Sequence, residues 1–135
     1  MQDSLTKFQI REVDSTSLVL TCHGGLSWED RELLAGEVQR YLEPRSSITG
    51  LVLDMAKVEF VNSAGLGALF QVIRRLRERD GRLAFANVPP MIARVFNAVG
   101  LDQLAPIEPD VETALESLRR APEAAPANAD EDSPC

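Results

Sequence analysis

A chain of 135 residues, 44% of them hydrophobic, suits one domain built on one core. A formal charge of −7 and the lack of any basic tract argue against a protein that grips nucleic acid through its phosphates. The apolar runs are far too short for a membrane span, no secretory leader opens the chain, and Cys22 and Cys135 make no disulfide frame. A reduced, cytoplasmic protein is therefore expected.

Residues 8–13 (F-Q-I-R-E-V) alternate apolar and polar, which predicts a strand with one wet face. Asp14-Ser15-Thr16-Ser17 is turn chemistry, and Leu18–Cys22 predicts a second strand ended by His23-Gly24-Gly25. The short link makes the two an antiparallel hairpin. A first helix is expected from about Ser27, with Glu29 and Asp30 suited to its positive end and Leu34, Val38, Tyr41 and Leu42 as its buried stripe. Pro44 comes where the pattern stops. Leu51-Val52-Leu53, closed by Asp54, is apolar on both faces and predicts a strand in the middle of a sheet.

A second helix is expected from about Ser63 to Arg79, with Leu66, Leu69, Phe70, Ile73 and Leu76 on one face and Gly81 as a left-handed cap. Strand 82–86, a helix over 91–99 with Ile92, Val95, Phe96 and Val99 on its inner side, a short strand at 105–107 and a last helix capped by Asp110 complete the series. Val111, Ala114, Leu115 and Leu118 form the stripe of that last helix. Strands alternating with helices predict an α/β fold. Its sheet should be mixed and mostly parallel, with an antiparallel N-terminal hairpin and helices packed against it. Residues 1–120 form the expected domain. Residues 121–135 hold four acids, no base and no apolar stripe, and are expected to be a disordered acidic Ala/Pro-rich tail.

The chemistry concentrates at Val58–Leu69, V-E-F-V-N-S-A-G-L-G-A-L. Asn62 or Ser63 can cap the helix that opens there, and Ser63 would stand at a positively polarised helix end. Gly65 and Gly67 cost stability in the first turns of a helix, which suggests that something approaches the backbone closely. No enzyme constellation is visible. His23 is the lone histidine, so metal sites built on several histidines are excluded, and a Ser63–His23 pair lacks an acid to orient it. Gly65-Leu66-Gly67 lacks the third glycine of a dinucleotide fingerprint, and no phosphate-binding G-x-x-x-x-G-K-[ST] loop occurs, so no cofactor is expected. Arg74, Arg75, Arg77, Arg79 and Arg82 read as a solvated helix face partly paired with Glu78 and Asp80, or alternatively as a patch for an acidic partner. Trp28 and Phe96 read as core or helix-packing residues.

Residues Leu51–Gly67 resemble the central motif of STAS domains, above all the bacterial anti-sigma factor antagonists, in which an apolar strand ending in Asp leads to D-S-[STA]-G-L-G at a helix start. Asp54 matches the strand-ending acid and Ser63 the phosphorylated serine. Ala64-Gly65-Leu66-Gly67 matches the rest of the motif. Asn62 stands where the antagonists usually carry Asp. By order of elements the resemblance covers roughly residues 8–120.

The resemblance implies a phosphorylation-controlled binding switch rather than an enzyme. Unphosphorylated, it would sequester an anti-sigma factor that is also a serine kinase. That kinase would phosphorylate Ser63, and a serine phosphatase would reverse the step. Asp54, Asn62, Ser63, Ala64, Gly65, Leu66 and Gly67 would form the partner-binding segment. Two other readings stay open. One is a non-phosphorylated STAS scaffold or accessory subunit of a transporter ATPase; the other is a small α/β enzyme or ligand binder using the Asn62–Gly67 loop.

Overall fold

The alternation at the start of the chain folds as a hairpin. Strand β1 (Phe8–Asp14) pairs antiparallel with β2 (Ser17–Leu26), from Phe8↔Cys22 to Asp14↔Ser17. The computed structural model describes residues 8–120, and of residues 28–32 the backbone alone. The tail with Cys135, the packing expected of Trp28 and the side chains of Glu29 and Asp30 thus lie outside the described residues. The link is an Asx turn, in which the Asp14 carboxylate accepts from the Thr16 N–H at 2.9 Å and the Thr16 hydroxyl at 3.1 Å.

After β2 come α1 (Trp28–Leu42), β3 (Gly50–Val61), α2 (Ser63–Glu78), β4 (Arg82–Ala86), α3 (Pro90–Ala98), a 3-10 turn (Leu101–Gln103), β5 (Ile107–Glu108) and α4 (Val111–Arg120). The strands lie in sequence order in one five-stranded sheet, antiparallel at β1–β2 and parallel from β2 to β5. The fold is the mixed α/β sheet the pattern predicts.

Crossovers of one hand that always step the same way along a sheet put their helices on the same face. The core divides accordingly. Leu51 and Leu53 of β3 pack into a large cluster with Leu34 and Val38 of α1, Leu69, Val72, Ile73 and Leu76 of α2, and Ile92 and Phe96 of α3. Val52 points the other way, into a small cluster with Val19, Ala84 and Ala86 that Ala114 and Leu115 of α4 cover. This two-sided burial is what an apolar central strand requires. Phe96 is fully buried, as expected of it, with its ring 4.9 Å from that of Phe85.

Several boundaries differ from the expectation. β2 does not stop at His23-Gly24-Gly25; it runs to Leu26, because the second half of β3 pairs with it through two register shifts. Gly24 takes a positive φ of 75° at one of these, and the ring of Phe60 lies 2.2 Å from where a Cβ on Gly25 would be. The last strand is Ile107–Glu108 rather than 105–107, because the Ala105 N–H is spent on Leu101 O at 3.1 Å. Asp80, not Gly81, takes the left-handed conformation after α2 (φ 61°). Gly81 is small for a different reason: a Cβ there would meet Thr49 O at 2.8 Å. On α3, Val95 and Val99 turn outward instead of joining Ile92 and Phe96 inside. Among the described residues no helix is long and apolar enough to cross a membrane.

The turn at Asp14 predicts a pH dependence. The Thr16 N–H, then the Arg119 guanidinium at 3.0 Å, hold the Asp14 carboxyl down at about 2. A carboxyl depressed on folding stabilises the fold above its unfolded value of ~3.9, and that contribution is lost as pH falls through the folded value. The side chain is more than a third exposed, so solvent screens the pair. Asp14→Asn is therefore expected to cost only about 0.5 kcal/mol at neutral pH. In urea melts the gap to wild type should close as pH is lowered from 4 to 2.

Candidate functional site

The segment from Asn62 to Gly67 joins the end of β3 to α2, and both sides of the joint are fixed. Val61 is in register with Leu26, and the Asn62 N–H donates to Leu26 O at 3.1 Å, so the turn starts from the last rung of the β2–β3 ladder. Asn62 has extended dihedrals (φ −97°, ψ −173°) and its Oδ1 accepts the Gly65 N–H at 3.0 Å. Its carbonyl accepts the Leu66 N–H at 2.9 Å, the first α-helical bond. The N-cap is thus Asn62, not Ser63. Asn62→Ala is expected to cost about 1 kcal/mol in an equilibrium unfolding experiment, the usual loss on removing such a cap.

With capping assigned to its neighbour, Ser63 is left for other work. It is the first residue of α2, exposed, and its hydroxyl has no hydrogen-bond partner among the described residues. The N–H groups of Ser63 and Ala64 precede the first intrahelical bond and point out of the helix end. No acidic residue lies in the first turn. A doubly negative group on Ser63 would therefore meet a partial positive charge and free donors, with no like charge in its own turn.

The two glycines of the motif do different things. A Cβ on Gly65 would lie 2.3 Å from Leu26 O and 2.8 Å from Leu26 C. The close approach that this glycine permits is made by the chain's own backbone. Around Gly67 nothing lies within 4 Å of a Cβ, so its backbone is open on the outer side of the helix. Ala64 and Leu66 are half-buried beside it.

Asp54 is not at the end of its strand. Met55–Val61 continue β3 beyond it, while the β3–β4 pairing stops at Asp54↔Ala86. There its Oδ1 accepts from the Ala56 N–H at 3.2 Å and from Asn87 Nδ2 at 3.1 Å. The carboxylate ties β3 to the chain leaving β4, where Asn87 adopts a positive φ of 56°. Sequence reading did not single out Asn87. The available signal was an asparagine straight after a strand, since asparagine tolerates this conformation.

His23 is not paired with Ser63 in a catalytic arrangement; its Nε2 lies 3.3 Å from Gln9 Oε1 on the adjacent strand. The arginine run is largely structural. Arg79 donates to Leu42 O at 3.0 Å and Arg45 O at 2.5 Å, closing the C-terminal end of α1. Arg75 bonds Gln39 of α1, and Arg82 donates to Ser117 O of α4 at 2.9 Å. Arg74 and Arg77 remain exposed.

A family model described as the STAS domain matches residues 7–114. An anti-sigma F factor antagonist of Paenibacillus polymyxa is 23% identical over 101 residues, covering 75% of this chain and 86% of that protein. The Bordetella bronchiseptica protein BtrV, named for the same antagonist role, is 28% identical over 71 residues. That match covers 53% of this chain and 61% of the relative, less than two thirds of its length. Among solved structures, the anti-sigma factor antagonist SpoIIAA in its unphosphorylated form superposes with a TM-score of 0.72 at 22% identity. It covers 84% of this chain and 97% of that one, a likeness of fold.

Proposed function

The chain belongs to the STAS domain family, and from that premise we propose that it is an anti-sigma factor antagonist switched by phosphorylation of Ser63. Unphosphorylated, it binds an anti-sigma factor that is also a serine kinase, and so frees a sigma factor or another regulated target. The kinase transfers the γ-phosphoryl of ATP to the Ser63 hydroxyl, and a serine phosphatase removes it. The chain is substrate and switch in this cycle, not catalyst, and acts in the cytoplasm. Asn62, Ser63, Ala64, Leu66 and Gly67 form the contacted turn; Gly65 seats it against Leu26, while Asp54 ties β3 to Asn87.

The observation that carries this reading is the exposed hydroxyl of Ser63 at the first position of α2, without a hydrogen bond among the described residues because Asn62 does the capping. Asn62 stands where the antagonists usually carry Asp, and it caps the turn without a charge of its own. The phosphate adds about −1.5 to −2 charge at a helix end that tolerates it, so the fold persists. A partner pressed against the same turn must desolvate that charge, so binding is lost.

Incubation with the purified histidine-kinase-like anti-sigma factor of the same organism and ATP, followed by intact mass, tests this. One phosphate should be taken up by wild type and none by Ser63→Ala. If wild type takes up none, the switch is refuted and the reading as a non-phosphorylated scaffold or accessory subunit is favoured.

A further inference from the structure

Strand β4 keeps one rung of its outer edge open. The Arg82 N–H donates to Thr49 O at 2.7 Å on the β3 side, and the Phe85 N–H donates to Pro106 O at 2.8 Å on the β5 side. Backbone groups along a strand alternate between its two neighbours, so the N–H and C=O of Leu83 face the β5 side. There β5 pairs only with Phe85 and Ala86. The residue before β5 is Pro106, which has no N–H to give, and the Ala105 N–H is spent on Leu101 O. No hydrogen bond reaches the Leu83 N–H or C=O among the described residues, although Leu83 is only 3% exposed. Buried backbone groups in folded proteins nearly always find a partner.

Leu83 is one wall of a groove of about 240 Å³. Ile73 and Leu104 give the groove apolar sides, Arg77 and Arg82 make it positive, and no acidic residue lines it. What fits is a length of extended backbone with small side chains and negative charge. The chain itself carries such a length. Residues 127–132 read A-N-A-D-E-D, with three acids, no base, and no proline between Pro126 and Pro134. Helix α4 leads to the right end of the sheet. It runs back from β5, and near its end Ser117 O accepts from Arg82 Nη2 at 2.9 Å. Residues 121–126 then follow Arg120, a reach of about 20 Å when extended. A short tether of this kind holds the segment near the groove at an effective concentration of about millimolar.

We propose that residues 127–132 add to β4 at Leu83 as a short extended segment, with Asp130, Glu131 and Asp132 set against Arg77 and Arg82. A segment with no apolar stripe of its own adds to a ready-made edge through its backbone. The groove lies at the amino end of β4, whereas Ser63 follows the carboxyl end of the parallel strand β3, so the two are at opposite poles. The latch leaves the Ser63 turn uncovered, and it holds whether or not Ser63 is the switched residue.

The test uses the full chain with a nitroxide on Cys135, since Cys22 is buried; intact mass confirms a single label. Amide NMR compares wild type with a neutral-tail variant, Asp130→Asn/Glu131→Gln/Asp132→Asn, which alters no residue of the described fold. In wild type the amides of Leu83, Gln103 and Leu104 should broaden at least threefold more than those of Val61 and Ser63 at the far pole, and the variant should lose that difference. The Leu83 amide should also exchange with deuterium at least tenfold more slowly in wild type than in the variant. Absent or uniform broadening overturns the docking. Selective broadening that survives in the variant overturns recognition by charge, and equal exchange at Leu83 overturns the strand pairing. Broadening that passes from labelled chains to unlabelled, isotope-enriched chains in a mixed sample assigns the groove to the tail of a second copy and overturns the latch.

Discussion

Phosphorylated at Ser63, the chain is expected to bind its anti-sigma partner more than a hundredfold more weakly than the unmodified chain. That ratio corresponds to about 3 kcal/mol, a modest demand on a phosphate carrying close to two charges into a contact that excludes water. In the free protein the charge costs little, because the first turn of α2 presents open N–H groups and no acid. The discrimination comes almost wholly from the bound state. Substitutions at the same position should grade the effect. Ser63→Glu carries one charge on a shorter group and should lose about tenfold, near 1.4 kcal/mol. Ser63→Ala should bind like unmodified protein and resist switching by ATP. Isothermal titration of the four forms against the kinase with a non-hydrolysable nucleotide reads the series directly.

Gly65→Ala is expected to be the most damaging small substitution at the site. The added carbon would sit 2.3 Å from Leu26 O, a backbone atom in the β2–β3 ladder. Neither side can yield by a rotamer change; either α2 lifts off the sheet end or Leu26 moves, and the Asn62 N–H bond to Leu26 O goes with it. Overpacking of this kind costs about 3 kcal/mol, a large part of the roughly 5–15 kcal/mol that holds a typical domain. A fall in melting temperature of roughly 10–20 °C should result for a domain of this size. Gly67→Ala is the matched control. Its site is open, and relief of glycine's chain entropy should stabilise α2 by about 0.5–1 kcal/mol. Two glycines in the same motif, with only Leu66 between them, thus separate by several kcal/mol in opposite directions.

Much of this arrangement is legible in the residues. The apolar run at Leu51–Leu53 places its strand at the centre of the sheet, and Asp110 caps α4 as expected, accepting the Thr113 N–H at 2.7 Å. The features that local pattern hides depend on distant partners. Lys57 and Phe60 look like loop residues, yet they are strand because the far half of β2 pairs with them, with Glu59 passed over at a register shift. His23-Gly24-Gly25 reads as a strand end, but the ring of Phe60 needs the missing Cβ of Gly25. Local pattern places a cap within one residue, and here that one residue matters: it decides whether the Ser63 hydroxyl is occupied or free. Val95 and Val99 fit a helical stripe as well as Ile92 and Phe96 do. Only the packed sheet decides which pair faces inward.

A switch of this kind requires that charge placed on Ser63 act on a fold that does not change. Comparison of the amide NMR spectra of the phosphorylated and unmodified proteins reads that requirement residue by residue. Shifts should be confined to residues around 60–68, with the resonances of Leu53, Phe85 and Leu115 in place. Shifts spread through the sheet and α4, or loss of their dispersion, would refute it.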